Sequence, residues 1–69
     1  MIERNVLKQK RIKNHLIEIE QTGPIYFLTI STQVVVYQRV FIDYNDALIC
    51  LKKAYNYIEH NIPLEALDE

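Results

Sequence analysis

The chain has 69 residues, enough for one small domain, and its formal net charge is −1. With 49% hydrophobic residues it is too apolar to be expected to stay disordered. The single cysteine excludes an internal disulfide, and no apolar run of about 18 residues predicts a membrane-spanning helix. No apolar segment follows the basic start, as a signal peptide would require. We therefore expect a cytoplasmic protein.

Charge is unevenly distributed along the chain. Residues 1–15 carry a single acidic side chain, Glu3, and five basic ones: Arg4, Lys8, Lys10, Arg11 and Lys13. Residues 59–69 carry four acidic side chains and no Lys or Arg. We predict that residues 1–11 form a basic arm or a short helix. Residues 63–69 form an acidic tail, which either makes one helical turn or frays.

Residues 12–42 are predicted to form three antiparallel strands. In the first strand, the apolar Ile17 and Ile19 alternate with Glu18 and Glu20, the period of a half-buried strand. A turn at residues 21–24 contains the only glycine of the chain. The second strand covers residues 25–30, and after a break at 31–33 the third covers residues 34–42.

Loops of four residues at 21–24 and three residues at 31–33 would separate the side chains into two faces. One face is almost wholly aliphatic: Ile17, Ile19, Tyr26, Leu28, Ile30, Val34, Val36, Val40 and Ile42. The other combines charge with aromatic rings: Leu16, Glu18, Glu20, Ile25, Phe27, Thr29, Val35, Tyr37, Arg39 and Phe41. The aliphatic face is expected to pack on a helix.

Residues 43–62 are predicted to form that helix. Six apolar residues recur at spacings of three and four, as on one face of an amphipathic helix: Tyr44, Leu48, Leu51, Tyr55, Ile58 and Ile62. Asp43 is a good N-cap, and Pro63 disfavours helical geometry at the residue before it. The predicted fold is α+β: a three-stranded antiparallel meander with one C-terminal helix on one face, a βββα order.

A second set of helix residues lies beside the main stripe: Ala47, Cys50, Ala54 and Tyr57. Three of these four side chains are small, so another backbone could approach closely. We expect this flank either to pack on the tail or a bent sheet, or to form a helix–helix contact in a homodimer. Oligomerisation would add stability that a chain of 69 residues needs.

Catalytic and metal-binding patterns are weak in this sequence. Cys50 and His60 are ten residues apart on one helix, about 15 Å along its axis, so they cannot react together. His15 and His60 have no partner at zinc-ligand spacing. A single glycine excludes a glycine-rich phosphate loop. We therefore expect no catalytic, cofactor or metal site, and a protein that is not an enzyme.

Two binding functions remain. The first is a protein-interaction or regulatory module with an unknown protein partner, which would bind through Phe27, Tyr37, Arg39 and Phe41, because aromatic and arginine side chains are enriched at interfaces. The same patch could instead be a homodimer seam. The alternative is nucleic-acid binding, with the basic N-terminal arm on phosphates and sheet aromatics stacked on bases: Arg4, Lys8, Lys10, Arg11 and Lys13.

A meander followed by a helix that opens Asn-Asp-Ala-Leu resembles the HicB-type antitoxin domains at Asp46, Ala47 and Leu48. The Gly-Asp turn usual before that helix is replaced here by Ile42-Asp43. We assign no family from this resemblance.

Overall fold

The computed structural model describes residues 5–68, which form an antiparallel sheet, one α-helix and one 3-10 helix. The strands are β1 (Asn5–Ile12), β2 (His15–Thr22), β3 (Ile25–Ser31) and β4 (Val35–Phe41); helix α1 spans Tyr44–Glu59 and the 3-10 helix spans Leu64–Asp68. The strand order is β1-β2-β3-β4, so β1 and β4 are the edges. The α+β class with one helix is confirmed, but the sheet has four strands, not three.

The extra strand is β1, and the prediction of a basic arm or short helix is wrong for residues 5–11. Lys13 and Asn14 connect β1 to β2, with Ile12 opposite His15 and Lys13 in the left-handed region at φ 54°. Pairing with β2 satisfies backbone groups of the segment, although its side chains have little strand periodicity. Residues 1–4 lie outside the described part of the chain.

Strands β2 and β3 supply the centre of the core. Ile17 pairs with Ile30 and Ile19 with Leu28, and all four side chains are fully buried. Only Gly23 and Pro24 separate the paired ends of the two strands, two residues fewer than predicted. An even shift in register keeps every side chain on its predicted face. The aliphatic face is therefore correct for these two strands.

Strand β4 has the opposite orientation to the predicted one. The pairing passes from Ile30–Tyr37 to Ser31–Val35, so a bulge adds one residue to β4. This odd shift turns Tyr37, Arg39 and Phe41 towards the helix. The valines and isoleucine predicted to face the helix are instead largely exposed: Val34 68%, Val36 45%, Val40 50% and Ile42 84%.

Helix α1 packs through its small residues. Ala47 and Ala54 have no exposed surface, and Cys50 is 7% exposed. They join Leu51, Ile58 and Leu67 of the 3-10 helix in one core with the sheet. The larger members of the predicted stripe lie at the margins, half-buried: Tyr44, Leu48 and Tyr55. The small side chains therefore line the contact between helix and sheet rather than a free flank.

Side-chain and backbone caps set both ends of α1. Asp43 accepts a hydrogen bond from the backbone N–H of Asn45 at 2.8 Å, as predicted for an N-cap. At the other end Asn61 adopts φ 59°, and Ile62 N–H donates to the Tyr57 carbonyl at 2.8 Å. This is a Schellman motif, which asparagine tolerates at its left-handed position. It ends the helix at Glu59, three residues before the predicted end at 62.

The burial of Leu28 gives a test of the core. Leu28→Ala should lower the free energy of unfolding by about 2–5 kcal/mol, because it leaves a cavity at the centre of the sheet. Val34→Ala removes a side chain that is 68% exposed and should change it by less than about 0.5 kcal/mol. Urea unfolding followed by circular dichroism measures both.

If Leu28→Ala does not fold, Ile30→Val is the milder core substitution, with an expected loss of about 0.5–1.5 kcal/mol. Equal losses for the core and Val34 variants would contradict the packing described above.

Candidate interaction surface

The side of the sheet opposite α1 carries no helix among residues 5–68, and we call it the outer face. Its side chains follow from the strand registers: Val6, Gln9, Arg11, Leu16, Glu18, Glu20, Ile25, Phe27, Thr29, Gln38 and Val40. Phe27 lies between Glu20 on β2 and Val40 on β4. The ring is half-buried, whereas Val40 is 50% exposed. Phe27 and Val40 therefore form an apolar pair on β3 and β4, with Glu20 beside it on β2.

Polar side chains of this face bond across the strands. Gln9 Nε2 donates to Glu18 Oε2 at 3.1 Å, and Gln38 Nε2 donates to Thr29 Oγ1 at 3.1 Å. Glu18 is only 8% exposed even though no helix covers it. A carboxylate so shielded by its neighbours needs hydrogen-bonding partners to remain there. Cross-strand hydrogen bonds therefore connect polar side chains of β1 with β2 and of β3 with β4 on the outer face.

The four residues predicted to form one interaction surface are divided between the two sides of the sheet. Phe27 lies on the outer face, whereas Tyr37, Arg39 and Phe41 lie on the helix side. The separation is a consequence of the bulge in β4, which is absent from the predicted register. The aromatic and arginine side chains therefore do not form a single patch.

Tyr37, Arg39 and Phe41 form a cluster with the 3-10 helix. The Tyr37 hydroxyl donates to Asp68 Oδ1 at 3.0 Å, and Arg39 Nη1 lies 3.4 Å from the same oxygen. The Arg39 guanidinium also lies 5.4 Å from the centre of the Phe41 ring. Burial raises the pKa of Tyr37 above its ordinary value, so the hydroxyl stays protonated as a donor. This cluster holds the C-terminal segment against β4.

The helix flank predicted as a dimer contact is not a free surface. Ala47, Cys50 and Ala54 are buried in the chain's own core, and Tyr57 is half-buried. A second helix could reach these small side chains only by displacing the sheet. Within the chain, these residues pack in the core shared by the helix, the sheet and the 3-10 helix.

The basic residues predicted as an arm lie mostly along β1. Lys8 and Lys10 point to the helix side and Arg11 to the outer face, as their partners Ile19, Ile17 and Leu16 show. Lys10 Nζ lies 5.5 Å from the centre of the Tyr55 ring.

Lys13, in the following turn, donates to the Glu59 carbonyl at 3.3 Å and to Asn61 Oδ1 at 3.0 Å. It therefore stabilises the negative end of α1. Arg4 lies outside the described residues.

A cavity of about 370 Å³ lies between the β1–β2 turn and the end of α1, and it is lined by Lys13, Asn14, His15, Ile58, Asn61, Ile62, Pro63 and Leu64. His15 Nδ1 is buried there with no hydrogen-bond partner among residues 5–68. From its sequence context, His15 was expected only to lack a partner at zinc-ligand spacing. No group of three or more His, Cys, Asp or Glu in the described chain could hold a metal ion.

Comparison with known proteins gives no assignment, since no family model, curated protein or solved structure matches the chain. No helix among residues 5–68 is long and apolar enough to cross a membrane. The candidate surfaces are therefore judged on their geometry alone.

The environment of Cys50 predicts an unreactive thiol. Burial raises its pKa above the ordinary value, and the side chain is 7% exposed. In the folded chain it should react with a thiol reagent at least about 100-fold more slowly than in urea, because reaction requires local opening. Absorbance of the released thiolate measures both rates.

A matched control places a cysteine at position 49, next to Cys50 but on the exposed side of α1. Ile49 is 55% exposed, so Ile49→Cys combined with Cys50→Ala should react rapidly in the folded chain. Similar rates for the two cysteines would show that Cys50 is accessible and would reopen a nucleophilic role.

Proposed function

We propose that this chain is a small protein-interaction module that acts by binding, without a catalytic step, and that its outer face is the binding surface. The observation that carries the proposal is the position of Phe27. An aromatic ring at the middle of a sheet face without a helix, beside the exposed Val40, is an unusual placement for a residue that serves only the core. Large aromatic side chains are also the residues most enriched at the centres of protein interfaces.

The chemistry of the face favours a polypeptide partner with an apolar contact surface. Phe27 and Val40 supply the apolar centre, and polar side chains lie beside it on the same face: Glu18, Glu20, Thr29 and Gln38. An apolar centre inside a polar rim is the usual arrangement of a non-obligate protein interface. Binding without chemistry suits a regulatory role, and the absence of disulfides suits the cytoplasm.

Nucleic-acid binding is the less favoured alternative. Four basic residues on β1 and the next turn support it: Lys8, Lys10, Arg11 and Lys13. However, Lys8 and Lys10 lie on the opposite side of the sheet from Phe27. Tyr37 and Phe41, predicted as stacking platforms, also face the helix. Lys8 and Lys10 would thus contact phosphates on the side of the sheet away from Phe27, and of the basic residues on β1 only Arg11 shares the face of Phe27.

Substitution of Phe27 tests the proposed surface. A tagged wild-type chain captures partners from cells of the source organism, and each purified candidate is then titrated by calorimetry. Phe27→Ala should weaken binding at least about tenfold, because truncating a central interface aromatic removes more than about 1.4 kcal/mol. Ile49→Ala alters an exposed apolar side chain on α1 and should leave the affinity within about twofold.

Circular dichroism spectra and urea midpoints of both variants serve as the folding control. If no partner binds saturably, or if Phe27→Ala binds as tightly as wild type, the outer face is not the binding surface.

Salt dependence separates the two functions. Because Lys8 and Lys10 lie on the opposite side of the sheet from Phe27, single- and double-stranded oligonucleotides should show no saturable binding at about 50 mM salt in fluorescence anisotropy. Binding that weakens steeply between about 50 and 200 mM salt, and that is reduced by Lys8→Gln, would favour the nucleic-acid alternative instead.

A further inference from the structure

Strand β4 has one side without a strand partner. It pairs with β3 and lies at the end of the strand order. Among residues 5–68 no strand pairs with its other side, and a row of unpaired N–H and C=O groups can bind another strand. Val35 is 60% exposed and Val40 is 50% exposed, so this edge is open to solvent.

The two edges of the sheet differ in how well they are protected against such pairing. Each has a bulge near its first residues. β1 also carries three basic side chains, Lys8, Lys10 and Arg11, and charged side chains on an edge oppose pairing. β4 carries one, Arg39, with three valines and two aromatic residues, and it contains no proline. β4 is therefore the edge that remains open to another strand.

We infer that β4 pairs antiparallel with β4 of a second copy of this chain, forming a closed two-fold dimer. Pairing of β4 with β1 of the next copy would leave the same two edges free at each step and would form an open filament. The basic residues of β1 oppose that arrangement. Pairing of β4 with β4 instead covers the open edge of each copy in a single contact. The result is a sheet of eight strands, four from each copy, with β1 at both ends.

The residues of β4 favour one register. Its midpoint is Gln38, and a two-fold axis there pairs residues 36–40 of the two copies, placing Tyr37 opposite Arg39 and Val36 opposite Val40 of the second copy, while Val35 lies beyond the bulge. An axis at Arg39 would place two guanidinium groups directly opposite each other, which is destabilising. The register centred on Gln38 brings apolar side chains to apolar side chains and an aromatic ring to a cation.

The inferred dimer does not depend on the proposed function, but it affects the outer face. A two-fold axis at an antiparallel strand pair is perpendicular to the sheet, so both helices lie on one side and both outer faces on the other. Five regularly paired residues per copy make a small interface. We therefore expect a dissociation constant on the order of micromolar.

Sedimentation velocity tests the inference on the full chain between about 1 and 500 μM, a range that brackets the expected dissociation constant. The wild type should change from monomer to dimer with no larger species. Val40→Lys, at an exposed position on β4, should weaken association at least about tenfold. Val6→Lys makes the same change on β1 and should leave association unchanged, and Phe27→Ala should also dimerise.

Cross-linking tests the register. In a Cys50→Ala background, Gln38→Cys places two thiols across the axis, where Cα atoms about 4.5–5.5 Å apart suit a disulfide. Glutathione disulfide should convert most of this variant to a covalent dimer. Gln9→Cys, at an exposed position on β1, should stay monomeric. Circular dichroism confirms that each variant is folded.

Several results would overturn the inference. They are a monomer at 500 μM, a dimer unaffected by Val40→Lys, species larger than a dimer, or cross-linking of Gln9→Cys in preference to Gln38→Cys. If the wild type is a monomer at 500 μM while Phe27→Ala still weakens partner binding, the inference fails and the proposed function stands. If the dimer forms but Phe27→Ala leaves partner binding unchanged, the inference stands and the proposed function fails.

Discussion

The close approach of α1 to the sheet is the contact on which the rest of this structure depends. It exists because Ala47, Cys50 and Ala54 present little side-chain volume to the sheet. Four aliphatic side chains from β2 and β3 fill the space beneath the helix: Ile17, Ile19, Leu28 and Ile30. A larger residue at position 47 or 54 would push the helix away and expose this layer, since well-packed cores do not accommodate added volume.

A chain with a single α-helix can cover only one side of its sheet. The helix crosses the middle strands, so the side chains of the edge strands reach the core only if they are long. Tyr37 and Phe41 do so on β4, and the Lys10 ammonium group lies over Tyr55 on the β1 side. The outer face and the outer edge of β4 are left without a covering element among residues 5–68. Both follow from two layers and a small core.

Much of the fold follows from the sequence. The helix, its N-cap at Asp43 and the two central strands have strong local periodicity, and the structure has all of them. β1 was missed because its apolar residues do not alternate, and its pairing with β2 is a tertiary interaction. A local sign of the turn was Lys13-Asn14 after Ile12, since asparagine favours turns.

The candidate surface was less predictable because it depends on a single inserted residue. The loop before β4 contains no glycine, asparagine or aspartate to fix its turn type, and the bulge there is not visible in the sequence. An error of one residue exchanged Tyr37, Arg39 and Phe41 with the valines around them. The face of a strand is thus much harder to predict than the strand itself.

The bulge near Val35 also links the two exposed features of the molecule. By turning Tyr37 and Arg39 towards the helix side, it lets both bond to Asp68 and hold the 3-10 helix in place. The same rotation places Val40 beside Phe27 on the outer face. The predicted register would bury the valines, but it would expose the rings of Tyr37 and Phe41. It would also remove the hydrogen bonds to Asp68 that hold the 3-10 helix, and with it Leu67, against the core. The observed register thus packs two aromatic rings against the core and leaves the aliphatic side chains around them exposed.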